Sequence, residues 1–197
     1  NAVHQGWTIN PRDTLGQAEA AVRKSIELDD RNSRAHALLG RILVARQEFE
    51  LATRAAKQAL DLNPSDSEGY WSLGTVLLYS GMTAESIDAL ETARAYNPTR
   101  DEYSTLSLAL AYYVAGRFRD CAQFVEGSIG RDARHNFTYF VLAMSYAQLG
   151  NLDESRAVAE IARKQNPVFQ ASVFGSLFRQ AKDQARIRDG LRKIGFE

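Results

Sequence analysis

An all-α superhelix of stacked antiparallel helix pairs is what this 197-residue chain predicts, on three observations. Asn63-Pro64 and Asn97-Pro98 stand 34 residues apart, and Asn166-Pro167 lies 69 further on, two periods with one residue inserted. Each period holds two amphipathic patterns separated by a turn signal. Composition is rich in Ala, Leu, Arg and Glu and has only four prolines, which favours helix.

The elements follow in order. Residues 15–28 read as the second helix of a pair whose first helix is missing or replaced by residues 3–11, with Trp7 expected to cover an open end of the stack. Leu28-Asp29-Asp30-Arg31-Asn32 echoes Leu62-Asn63-Pro64-Ser65-Asp66 at the 34-residue offset. Residues 33–46 carry Ala35, His36, Leu39, Gly40, Leu43 and Val44 at helical spacing; residues 50–62 carry Leu51, Ala52, Ala55, Ala56 and Ala59. The pattern returns over 67–80 and 83–96. Gly81, Gly116 and Gly150 read as helix stops, and Ser67, Thr83 and Asn151 as N-caps whose side chains accept from first-turn amides. The third period lacks its proline and has Arg131-Asp132-Ala133-Arg134 there. Two shorter helices, 169–180 and 183–193, are expected to cap the end, closed by Gly195. The division is an N-terminal segment and half-repeat (1–32), four repeats (33–66, 67–101, 102–135, 136–167) and a cap (168–197).

Small residues recur in register. Gly40, Gly74, Ala109 and Ala143 on the first helices would let the two helices of a pair approach closely, and Ala52, Ser86, Cys121 and Ser155 on the second helices would accept a facing bulky side chain. Around them stand Tyr70, Leu73-Gly74, Leu77, Ser86, Leu90, Ala93 and Pro98, with His36, Tyr112 and Tyr146 in related places. This pattern, over roughly residues 15–167, resembles the tetratricopeptide repeat family. The resemblance implies a right-handed α-α superhelix and a protein–protein interaction scaffold. Two short motifs narrow it. Gly6-Trp7 and Asp189-Gly190-Leu191-Arg192-Lys193-Ile194-Gly195 are similar to the ends of the tetratricopeptide regions at the C-terminus of bacterial class III adenylate and guanylate cyclases. They imply a regulatory segment of a larger signalling protein.

No catalytic residues, metal ligands or cofactor are expected. The 24 basic residues balance the 24 acidic ones, which disfavours a nucleic-acid module, and one cysteine excludes an internal disulfide. His4, His36 and His135 are far apart, no phosphate-loop motif occurs, and Gly127-Ser128-Ile129-Gly130 reads as a turn. Cys121 is expected to be buried and inert. Asp153-Glu154 suits the first turn of a helix. The longest apolar run, 108–115, is too short to span a membrane. The start at Asn1-Ala2 without Met reads as a fragment boundary or vector scar, and a cytoplasmic location is expected.

In the resembled family the inner, concave surface is lined by outward-pointing residues of the first helices. Carried over, the protein-binding residues are Arg41; Trp71, Leu78 and Tyr79; Tyr103, Leu106, Leu110 and Tyr113; and Phe137, Phe140 and Met144. Aromatic anchors in a groove suit a hydrophobic peptide or helix. The partner is a protein or peptide: an external segment, a second copy of the chain, or an upstream catalytic domain. Alternatively the C-terminal helices, with Phe169, Phe174, Leu177 and Phe178, fold back and fill the groove. Ala37 and Arg41 replace the Lys and Asn of the carboxylate-clamp versions, so that clamp is not expected. A free-standing enzyme and an envelope assembly factor are the competing readings.

Overall fold

A computed structural model describes residues 11–98, 102–129 and 137–196. Trp7, His4, His135, the Gly6-Trp7 motif and the punctuation at 131–134 lie outside the described residues. Among the described residues eleven helices follow one another without a strand: α1 (Pro11–Leu28), α2 (Ser33–Ala45), α3 (Phe49–Leu62), α4 (Ser67–Ser80), α5 (Thr83–Tyr96), α6 (Glu102–Val114), α7 (Phe118–Ile129), α8 (Thr138–Leu149), α9 (Leu152–Gln165), α10 (Ala171–Phe174) and α11 (Ala181–Lys193).

Helices α2–α3, α4–α5, α6–α7 and α8–α9 pack as pairs. The first helices α2, α4, α6 and α8 each touch the next, and each of α3, α5 and α7 packs against the first helix of the following pair. Helix α1 stands against α2 as α3 stands against α4.

Each pair closes on the same register. Ser86 Oγ donates to the Gly74 carbonyl at 2.7 Å, Cys121 Sγ to the Ala109 carbonyl at 3.2 Å, and Ser155 Oγ to the Ala143 carbonyl at 2.9 Å. Each bond joins residues twelve apart. At the same spacing in the first pair, Ala52 has no hydroxyl, and its backbone oxygen lies 3.1 Å from where a Gly40 Cβ would stand. The fit at Gly74 is tighter: a Cβ there would meet Leu90 Cγ at 2.5 Å. The recurring serines satisfy buried hydroxyls without leaving the helix interface.

The turns within pairs also repeat. Gly81, Gly116 and Gly150 take φ of 85°, 78° and 82°, and the residue after each donates its amide to the carbonyl five positions back. The first pair makes the same turn with Gln47 at φ 61°, a left-handed conformation in a residue with a Cβ. Capping differs from the sequence expectation. Asp66, not Ser67, caps α4, accepting from the amides of Glu68 and Gly69. Met82, not Thr83, precedes α5, and Asn151 precedes α9 without a side-chain cap bond. Met82 O and Asn151 O accept the first intrahelical bonds, from Ser86 and Ser155, as any helix start does.

The C-terminal segment departs most. The expected helix over 169–180 reduces to the four residues of α10, because Gly175 and the extended backbone at Gln170 bound it. Helix α11 packs on α8, α6 and α10, on the face made by the first helices.

Candidate functional site

The candidate site is the face formed by α4, α6 and α8. It carries a two-legged hairpin made from the chain's own C-terminus. The outgoing leg starts at the N-terminal end of α8, where the Phe169 ring stacks on Phe140 at 3.9 Å and Phe174 stacks on Phe137 at 6.2 Å. It ends beside the C-terminus of α4, where the Phe178 ring lies 4.9 Å from Tyr79 and the Arg179 amide donates to the Tyr79 carbonyl at 2.8 Å. Arg179 then reaches the first pair, bridging Glu50 at 2.6 Å and standing 5.5 Å over the Phe49 ring. Helix α11 returns along the same face. Ile187 and Leu191 are buried, and Arg186 donates to the Val114 carbonyl at the end of α6. Phe196 closes edge-on against Phe140 at 5.0 Å.

The tightest approach is at Gly190. A Cβ there would overlap the Tyr113 hydroxyl and lie 2.8 Å from Met144 Sδ. Tyr113 is fully buried with its ring 5.2 Å from Phe118. Its hydroxyl accepts from Gln148 at 3.2 Å and donates to the Arg186 carbonyl at 3.4 Å. Gln148 also donates to Asp189 and accepts from Lys193. Burial pushes the Tyr79 and Tyr113 phenols up to about 12, so both stay neutral.

The expected binding residues therefore divide. Leu78, Leu110, Tyr113, Phe140 and Met144 are buried within the chain. With the hairpin in place, Tyr113, Phe140 and Met144 meet α11 and the phenylalanine cluster, the arrangement that the fold-back alternative describes. Phe137 and Tyr79 meet the hairpin as well. Arg41, Trp71, Tyr103 and Leu106 are half-buried on the same face. Arg41 bridges Glu68 at 2.6 Å and lies 4.3 Å over the Trp71 ring; Trp71 Nε1 donates to Ser107 Oγ at 3.3 Å. Ser107 in turn donates to the Tyr103 carbonyl at 2.9 Å. Trp71 also borders a cavity of about 520 Å³ with Arg94, Tyr112, Arg117 and Phe124.

Sequence reading singled out Phe169, Phe174, Leu177 and Phe178 for the groove, quoted Gly190, Leu191 and Ile194 only as part of a terminal motif, and missed the packing of these three and of Ile187 on the first helices. Their signal was present: Ile187, Gly190 and Leu191 stand at i, i+3 and i+4 of α11, and Ile194 follows at i+7 as its C-cap. It also missed Asp183, a carboxyl only 3% exposed whose Oδ2 has no hydrogen-bond partner. Burial raises its pKa, against the pull of Lys182 and Arg186. Cys121 is buried and burial pushes its thiol up to about 12, which leaves no thiolate for chemistry. Among the described residues no group of three or more His, Cys, Asp or Glu could hold a metal ion, and no helix is long and apolar enough to cross a membrane.

Comparison with known proteins agrees with this architecture. The tetratricopeptide repeat family model matches residues 12–67 and 37–98, and the model described as anaphase-promoting complex, cyclosome, subunit 3 matches residues 92–161. A curated relative, the cell division cycle protein 27 homolog of Caenorhabditis elegans, is 31% identical over 83 residues, 42% of this chain. The chain spans 10% of that relative's length. Among solved structures, PilW, a type IV pilus biogenesis factor, superposes with a TM-score of 0.69 at 19% identity, covering 90% of this chain and 84% of its own. TTC0263, a tetratricopeptide protein of Thermus thermophilus, gives 0.66 at 19% identity, covering 90% and 91%. YrrB, a tetratricopeptide protein described as having an unusual peptide-binding site, gives 0.62 at 20% identity, covering 90% and 92%. The repeats over residues 12–98 match the tetratricopeptide repeat model, and the fold of the described residues is that of a tetratricopeptide superhelix.

Proposed function

We propose that this chain is a protein–protein interaction scaffold that holds a hydrophobic helical segment of a partner on the face made by its first helices. The carrying observation is that this face already holds such a segment, the chain's own hairpin, through rings stacked on Phe137 and Phe140 and aliphatic residues in the groove. Arg41, Trp71, Tyr103 and Leu106 extend the same face and serve as the partner's further contacts. The proposed organisation is a leading half-repeat, four repeats ending at 167, and a groove-filling cap. In its full-length setting the proposal makes it a cytoplasmic regulatory segment of a larger signalling protein such as an adenylate cyclase, a reading supported by the motif at 189–195 and without a catalytic role for these repeats. That motif supplies the groove contact itself, through Gly190 and the buried Leu191.

The test is selection of peptides from a displayed library against the full chain, repeated with Trp71→Ala plus Tyr103→Ala. The expected result is loss of the selected binders with unchanged helical circular dichroism. Binders that survive in the double variant would sink this reading of the face. Sedimentation equilibrium on the same samples reads self-association directly.

A further inference from the structure

The occupant of the groove is read at one point with little tolerance. The Tyr113 hydroxyl and Met144 Sδ leave room for a hydrogen at position 190 and not for a methyl group. Independently of α11, Tyr113 is restrained by its burial, with its ring against Phe118, and by the bond that its hydroxyl accepts from Gln148 of α8. Glycine inside a helix is unfavourable by propensity, so α11 keeps it against its own local interest. Around it Ile187, Leu191 and Ile194 are buried three residues before, one after and four after.

The hairpin that satisfies this slot is also poorly fitted elsewhere. Asp183 enters the interface with an unpartnered, buried carboxyl oxygen. Helix α10 buries none of its residues, and Val173 is 57% exposed. A helix offering the same apolar face without that carboxyl would fit the groove better than the chain's own segment does.

We propose that the Tyr113–Met144 slot is a glycine-reading specificity site, and that the C-terminal hairpin is a displaceable plug competing for it with a partner's amphipathic helix of the pattern aliphatic-x-x-Gly-aliphatic-x-x-aliphatic. This deepens the proposed function and rests on it: the partner class is a glycine-bearing helix, and the regulation is competition in cis. A partner helix with alanine or larger at the slot position is rejected by overlap with Tyr113, and the groove opens only when a correctly patterned helix outcompetes the plug.

The experiment uses the full chain and its variant Ile187→Ala with Leu191→Ala, which loosens the plug without touching the groove. The probe is a fluorescein-labelled peptide of residues 180–196 of this sequence, read by anisotropy, beside the same peptide with Gly190→Leu. The loosened chain is expected to bind the glycine peptide at least about tenfold more tightly than the intact chain does, and to ignore the leucine peptide. A loosened chain that stays helical and binds neither peptide, or both equally, overturns the slot. A loosened chain that dimerises and leaves the peptide free overturns the partner helix in favour of a second copy. A chain whose library-selected binders carry no glycine requirement keeps the scaffold reading and loses this one.

Discussion

The repeat stack and the C-terminal hairpin are held together by different kinds of contact. In the stack one small set of relations recurs: a serine or cysteine bonded to a carbonyl twelve residues back, a left-handed turn residue, and an amide after it bonded to the carbonyl five positions back. Each relation is local, and its failure in one pair leaves the others in place. The contacts that hold the hairpin to the stack are each made once and across long sequence separations, as between Tyr113 and Arg186 or Gln47 and Ser176. A repeated interface tolerates variation position by position; a single interface depends on a few points of fit.

The sharpest break should come at Gly190. Gly190→Leu drives a side chain into Tyr113 and Met144 and is expected to release the hairpin at a cost at or above about 3 kcal/mol, the upper end for overpacking. Limited proteolysis should then cut within 168–180 while most helical circular dichroism survives. An uncleaved hairpin would mean that the slot yields. Next in size is Gly74→Leu in the stack, where the added side chain meets Leu90; it is expected to lower stability by about 1–3 kcal/mol in chemical denaturation, with the hairpin still protected.

A smaller, opposite effect belongs to Gln47. Glycine there would relieve the left-handed strain by about 1 kcal/mol while removing the side-chain bond to the Ser176 carbonyl. The melting temperature should rise and protection of the hairpin should not; a fall in melting temperature would show that the Ser176 contact outweighs the strain.

The smallest effect appears as a pH slope. Asp183 has its pKa raised by burial, so it holds a proton more tightly folded than unfolded, and its contribution worsens as pH climbs from its ordinary 3.8 through the raised value. Glu50 runs the other way, its pKa lowered by a hydrogen bond from its own backbone amide and then by Arg179. Asp189 does the same, lowered first by Gln148 and then by Lys193. Those two stabilise above their ordinary range and lose that contribution as pH falls. Asp183→Asn should flatten the loss of stability as pH rises from the ordinary aspartate range, seen as a smaller fall in melting temperature along a pH series upward from 3.8. An identical fall would mean that Asp183 is ionised without cost.

Much of the stack was legible because its causes are local. The small residues at 40, 74, 109 and 143, and their partners at 52, 86, 121 and 155, fell into register by spacing alone, and the helices at 67–80 and 83–96 followed from amphipathic patterning. The caps were misassigned by one residue because Ser67 and Thr83 look like cap residues, whereas Asp66 makes the cap bonds and Met82 holds the cap position without one. The candidate site was half legible. Its rings were visible, but that Phe140, Met144 and Tyr113 face the chain's own C-terminal hairpin depends on where a segment distant in sequence comes to rest.

By itself the sequence determined the helix pairs, their period and their stacking, since 3.6-residue patterning, turn glycines and small contact residues act within about 34 positions. Only the tertiary structure decided that the aromatic face is occupied, and by which residues. Occupancy is a matter of shape complementarity between distant segments, and a close approach such as that of Gly190 to Tyr113, like the Phe169–Phe140 stack, leaves almost no trace in the pattern along the chain.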